Sequence, residues 1–342
     1  MTQPLQKLTP KERVFRRLEG RAIDKIPNLN ILMTFAAKFI GVPYKKYVTD
    51  YRYLVDANIR CCEEFGIDMV SAISDPLREA HAFGANVIFP EDDVPKCYDY
   101  LIKDYSDIKR LEIADPLKSD RMLDRINAVK LYKKEVGHRY PILGWAEGPL
   151  AEAADLRGMS RLMTDLFDAP GDIKELLEIC TEQSILFSIE QIRAGADFIG
   201  IGDAAASLVG PSVYKDLVLP YEQKIIKAIH DKGAKVKLHI CGNISSILEL
   251  AAVSGADIID IDWMVDFKTA VEIFGTNASA CGNFDPVKIV LQGKPEDVRR
   301  AVISCVDAGA ANTFIAAGCE VPKMTPHENL LMVDTALRQL NI

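Results

Sequence analysis

Short runs of apolar residues recur along the chain, and longer amphipathic stretches separate them. The runs fall at 26–32, 68–73, 141–146, 198–202, 236–241, 257–262, 277–283 and 312–317. Their length suits strands better than helices. Apolar residues at helical spacing occupy the intervals, among them 173–193, 244–253 and 296–306. Strands that alternate with helices build parallel βαβ units. Eight such runs fit a closed (β/α)8 barrel, the TIM-barrel architecture, better than the alternative of an open doubly wound sheet. The expectation is an α/β protein with one domain spanning 1–342 and a helical extension ahead of the first strand.

Local signals place the helix ends. Thr9-Pro10-Lys11-Glu12 and Thr325-Pro326-His327-Glu328 each offer a capping threonine, a proline at the first helical position and a glutamate three residues after the cap. Gly195, Gly233, Gly255 and Gly309 stand between a helix and the next strand, where a left-handed helix stop is expected. Pro220 lies inside the helical stretch 213–230 and should kink or divide it.

Composition narrows the class. The 342 residues are 49% hydrophobic and 26% charged, with a formal net charge of -8 and no basic run, which argues against nucleic acid as a partner. The first residues contain no apolar core of signal-peptide length, and no apolar stretch approaches membrane-spanning length, so a cytoplasmic protein is expected. The 8 cysteines lack the spacing of a small secreted disulfide framework. Cys61, Cys62, Cys97, Cys180, Cys281 and Cys305 read as small buried hydrophobes.

The chemistry gathers at the strand ends, where parallel barrels carry their active sites. Those ends supply Asp75, Glu147, Asp203, His239 with Cys241, Asp262, Asn283 and Cys319. Alternation along 236–241 turns Val236, Leu238 and Ile240 towards the outer helices and His239 and Cys241 towards the axis. Cys319, beyond the last strand, lies across the mouth from that strand. One imidazole and two thiolates with a free position describe a catalytic zinc site; the alternative is two buried cysteines and a satisfied histidine. Asp262 is read as a fourth ligand, an acceptor for His239, or a helix cap. Glu147 and Asp203 are candidates to orient substrate or relay a proton, or caps in their turn. Asp75 has the same options, or a pairing with Arg78.

These residues resemble a known family. The Thr-Pro-Lys-Glu-Arg helix followed by Asp24-Lys25-Ile26-Pro27 is similar to the entry of uroporphyrinogen decarboxylase superfamily proteins. So are Glu79-Ala80-His81-Ala82-Phe83-Gly84-Ala85, Leu219-Pro220-Tyr221, His239-Ile240-Cys241-Gly242-Asn243, Gly282-Asn283-Phe284-Asp285-Pro286, and the tail from Pro322 to Asn329. The resemblance implies the barrel fold. It also separates two branches. Decarboxylases gather porphyrinogen carboxylates with an N-terminal Arg-Gln-Ala-Gly-Arg-type motif, whereas this chain has no arginine between Arg21 and Arg52. Where decarboxylases carry Gly-His-Gly, it has Gly318-Cys319-Glu320.

Both departures resemble the methylcobamide:coenzyme M methyltransferases, whose zinc ligands map onto His239, Cys241 and Cys319. The resemblance implies a methyl group arriving on a corrinoid protein and leaving on a small thiol that zinc holds as thiolate. Two thiolates and an imidazole neutralise the dication, so an added substrate thiolate leaves a net charge of about -1 that keeps sulfur nucleophilic. It further implies substrate-positioning roles for Glu147 and Asp203 and corrinoid contacts for Asn243 and Asn283. The alternatives are another methyl donor or acceptor, porphyrinogen decarboxylation, and a non-catalytic partner of corrinoid proteins.

Overall fold

The computed structural model describes residues 7–340, so the outermost residues of the expected 1–342 unit lie outside the described residues. Seven parallel strands follow one another around a curved sheet in chain order. They are β1 (Val70–Ser71), β2 (Ile142–Glu147), β3 (Phe198–Gly202), β4 (Lys235–His239), β5 (Ile258–Asp260), β6 (Ser279–Phe284) and β7 (Phe314–Ala317).

The eighth place is filled differently from expectation. The segment expected as a strand at 26–32 makes only one bridge, Asn28 with Ile315. It nevertheless closes the barrel. Leu29 N–H donates to Ile315 O at 2.9 Å, and Asp68 N–H donates to Asn28 O at 2.8 Å. Ile315 N–H donates to Pro27 O and Val321 N–H to Ile31 O, and side chains add to the pairing: Asn28 N–H donates to Asp68 Oδ2, and Ala317 N–H to Asn30 Oδ1. Pro27 lacks an N–H, which interrupts regular pairing at this point.

Inward positions form one core, with Met69, Leu143, Trp145, Phe198, Ile258 and Phe314 filling the barrel below its mouth. The helix Pro10–Leu18 plugs the N-terminal end, its Phe15 ring 5.4 Å from Phe198. Outward residues such as Val236, Leu238 and Ile259 pack against the helices in a second core. Trp145 fits because β3 has no side chain beside it: a Cβ at Gly200 would lie 2.2 Å from the indole ring.

The helix ends match expectation in part. Thr9 caps Pro10–Leu18 with both capping-box bonds present. Thr325 does not cap: extended Pro326 is itself the cap of His327–Gln339, and the Thr325 hydroxyl is buried without a partner. Gly195, Gly233 and Gly255 are left-handed, whereas Gly309 is extended and owes its place to Thr313 Oγ1, 2.5 Å from an added Cβ. The proline break is present, dividing Pro211–Leu217 from Leu219–His230 at Val218. The helix expected over 244–253 shrinks to Leu248–Ala251, because Asn243 Oδ1 accepts from Ser245 N–H and forms a turn instead. All eight cysteines are free; Cys97 is only half-buried, unlike its five companions away from the mouth. Among the described residues no helix is long and apolar enough to cross a membrane.

Gly200→Ala should therefore overpack the barrel and lower unfolding stability by about 1–3 kcal/mol in denaturant titration. A loss under about 0.5 kcal/mol, the range of a surface change, would show that Trp145 moves aside freely.

Candidate metal centre at the barrel mouth

Two loops bring three ligand atoms together. Strand β4 turns Lys237 and His239 inwards, and the chain carries Cys241 over the rim two residues later. Gly242 then turns with φ +94°, and its N–H donates to Asp262 Oδ2 at 2.7 Å. From the other side, the loop after β7 passes so close to the loop after β5 that a Cβ at Gly318 would lie 2.4 Å from Trp263 N. Cys319 follows at once, and Glu320 anchors it by accepting from Thr34 N–H at 2.7 Å and Thr34 Oγ1 at 2.8 Å.

His239 Nε2 stands 3.0 Å from Cys241 Sγ and 3.8 Å from Cys319 Sγ, and the two sulfurs are 3.7 Å apart. With metal–sulfur bonds of about 2.3 Å, a tetrahedral zinc separates two thiolates by roughly 3.8 Å. The donor set and its spacing therefore fit zinc. It is the only group of three or more such ligands within mutual reach among the described residues.

The charges are already polarised. A hydrogen bond from the Cys241 thiol lowers Cys319 to about 4 against the effect of burial, with His239 adding to it. Cys241 is raised by its bond to Cys319 and by burial. Burial disfavours the imidazolium of His239, yet Cys241 and Asp260 hold its pKa well above the ordinary value. Asp260 falls to about 2 despite burial, through Lys237 and His239.

The acceptor for His239 Nδ1 is Asp260 Oδ2, at 2.9 Å, and not Asp262. The register explains the correction, for Asp260 shares a rung with His239 while Asp262 lies beyond the strand. Asp262 instead accepts from Gly242 and Trp263 N–H and fixes both loops. Alternation along 258–262 held the signal for Asp260, and the same rule along β4 held the one for Lys237.

Glu147 ends β2 on a rung shared with Gly202 and His239. Gly202 brings no side chain, and the Glu147 carboxyl and the Trp145 indole crowd that place, each 3.1 Å from where its Cβ would lie. Glu147 accepts from Arg78 Nη2 at 2.8 Å and Trp145 Nε1 at 3.2 Å, while its own N–H donates to Glu79. Burial pushes Glu147 well up, with Arg78 opposing and Glu79 and Asp155 adding to it. Glu79 was not among the strand-end candidates, and Asp75, for which a pairing with Arg78 was one option, pairs with Arg121 at 2.6 Å.

Asp203 is not brought to the mouth. Gly202 is the last inward residue of β3, and Asp203 turns outwards and is fully buried. Its carboxyl accepts from Ala151 N–H at 2.7 Å and caps the helix Pro149–Arg157. Asn283 also works within the fold: its amide donates to Val265 O at 2.7 Å and Asp262 O at 3.3 Å. Asn243 is exposed on the rim beside Cys241.

A parallel barrel whose C-terminal rim gathers one imidazole and two thiols is thereby defined. The chain belongs to the uroporphyrinogen decarboxylase (URO-D) family, which it matches over residues 9–340. Among its relatives is the methylcobamide:CoM methyltransferase MtbA of Methanosarcina acetivorans, 29% identical over 94% of this chain and 95% of the relative. The uroporphyrinogen decarboxylase of Syntrophotalea carbinolica is 24% identical over 93% and 95%. A solved methyltransferase from Methanosarcina mazei superposes with a TM-score of 0.88 at 25% identity, covering 96% of this chain and 98% of its own. A B12-independent methionine synthase from Shewanella sp. W3-18-1 shares the fold, with a TM-score of 0.58 at 13% identity over 84% and 87%.

The buried acid pair behind the rim makes stability depend on pH. Burial pushes Asp203 from 3.8 to about 7, with the Ala151 and Leu150 amides opposing, and Glu222 beside it is also pushed up. The folded protein then holds a proton that the unfolded chain has released. That contribution is complete below pH 3.8 and is lost as the pH rises through about 7. Asp203→Asn keeps the cap and removes the titration. Melting temperatures should show the variant gaining on wild type from about pH 5 to about pH 7.5, and a constant difference would refute the pairing.

Proposed function

We propose that this protein is a zinc-dependent methyltransferase. It moves a methyl group from a methylcorrinoid, carried on a partner protein, to a thiol such as coenzyme M. The observation that carries the proposal is the convergence of His239 Nε2, Cys241 Sγ and Cys319 Sγ. The methylcobamide:CoM methyltransferase relatives, matched over nearly their whole length, support it.

Each residue has a task in this reading. His239, Cys241 and Cys319 hold the ion, and bound zinc supplies the Lewis acid that keeps an incoming thiol deprotonated near neutral pH. Asp260 orients the imidazole, and Asp262 ties the Cys241 loop to the loop after β5. The Glu147–Arg78 pair, with Glu147 at the level of His239, orients the acceptor. Around the mouth, Leu208, Trp263, Met264, Val287 and Met324 follow the strand ends, and each is at least 43% exposed. Exposed apolar groups around one opening suit a docking face for a corrinoid protein. Eight free thiols suit the reducing cytoplasm.

Porphyrinogen decarboxylation is disfavoured for this chain. Its closing segment offers asparagines where an anion clamp needs arginines, and Cys319 stands where that branch carries histidine. Protein purified under reducing conditions without chelators should contain about one zinc per chain, and Cys319→Ala should lose it. Metal-free wild type would overturn the proposal. Wild type should also consume methylcobalamin only when a thiol is present, with the rate falling at least about 100-fold in Cys319→Ala. Consumption without any thiol would shift the reading to another acceptor, and conversion of uroporphyrinogen would restore the decarboxylase.

A further inference from the structure

We infer that Lys237 is a positioning residue of the metal centre, acting through Asp260 to fix His239 with Nε2 presented to the ion. The inference rests on the zinc reading above.

Lys237 is 1% exposed, inside the barrel, on the strand that carries His239. Its rung is shared with Gly200 on β3 and Ile258 on β5, which offer it no polar side chain. Burying an ammonium group in such surroundings is costly unless it is paired. Its partner is Asp260 Oδ2, the oxygen that also accepts from His239 Nδ1. Lysine, carboxylate and imidazole therefore form one chain of contacts running up the barrel axis to Cys241 and Cys319.

Stability does not account for this arrangement. A hydrophobic group of similar volume in place of a buried ion pair is often neutral or stabilising, and the core around it is apolar. The geometry gives a better reason. Asp260 reaches from β5 to His239 on β4. The ammonium group below draws Oδ2 to a point where it also meets Nδ1. A proton on Nδ1 leaves the Nε2 lone pair facing the two sulfurs, as a zinc ligand requires.

A double-mutant cycle tests this, with zinc affinity measured by competition with a chromogenic chelator under reducing conditions. Asp260→Ala should weaken zinc binding about 10–100-fold and Lys237→Met about 10-fold, the usual cost of losing such a support. The double variant should bind no more weakly than Asp260→Ala, because Lys237 acts only through that carboxylate. Lys237→Arg should recover most of the loss. Losses that simply add, or a Lys237→Met protein that binds zinc as tightly as wild type or tighter, would overturn the inference. If the methionine variant fails to fold, as its melting curve would reveal, Lys237→Gln completes the cycle. Wild type that binds no zinc removes the zinc reading and this one with it. Wild type that binds zinc regardless of residue 237 removes this one alone.

Discussion

In a closed parallel barrel, every second residue of a strand has only the interior to occupy, and here large apolar groups fill that interior from below. Trp145 and Phe198 occupy the axis, so polar side chains fit only in the upper rungs and must find partners there. The register of β2 to β5 then sets which ones meet. Glu147, Gly202, His239 and Asp260 share one level. Glycine at the second place leaves room for the Glu147 carboxyl and the Trp145 indole, and aspartate at the fourth gives the imidazole its acceptor. A shift of one residue in β4 would turn Leu238 inwards and put both His239 and Lys237 among the outer helices.

The mouth holds more buried acid than stability requires. Glu79, Glu147 and Glu152 are almost fully buried with Arg78 among them, and both oxygens of Glu152 lack a partner. Burial raises the pKa of all three, with Arg78 opposing it. Asp203 with Glu222 repeats the pattern behind the rim. The two clusters differ in use. Asp203 serves a helix end, whereas Glu147 sits on the rung of His239 and accepts from Arg78 and Trp145.

Period and punctuation made most of the fold legible. Alternating runs located the seven strands of the parallel sheet but not the short antiparallel pair Val87–Ile88 with Lys96–Cys97, and Pro220 and the Thr9 cap were readable because their effects are local. The closing segment was not, since its hydrogen bonds go to Asp68, Asn30 and Ile315, partners remote in sequence. The three donor residues that converge could be named because strand-end position and donor chemistry singled them out and the family resemblance agreed. Their supports could not. Choosing Asp260 over Asp262 needs the register between β4 and β5, and seeing that Asp203 turns outwards needs the point at which β3 ends. Both quantities belong to pairs of strands.

The closing segment also holds the loop that carries Cys319. In the decarboxylases that this chain resembles, the corresponding stretch supplies arginines for substrate carboxylates. Here Asn30 Oδ1 receives Ala317 N–H, Ile31 O receives Val321 N–H, and Thr34 holds Glu320. Three contacts from 30–34 thus grip β7 and its loop on both sides of Cys319. Gly318 lets that loop press against Trp263, which directs the sulfur towards Cys241.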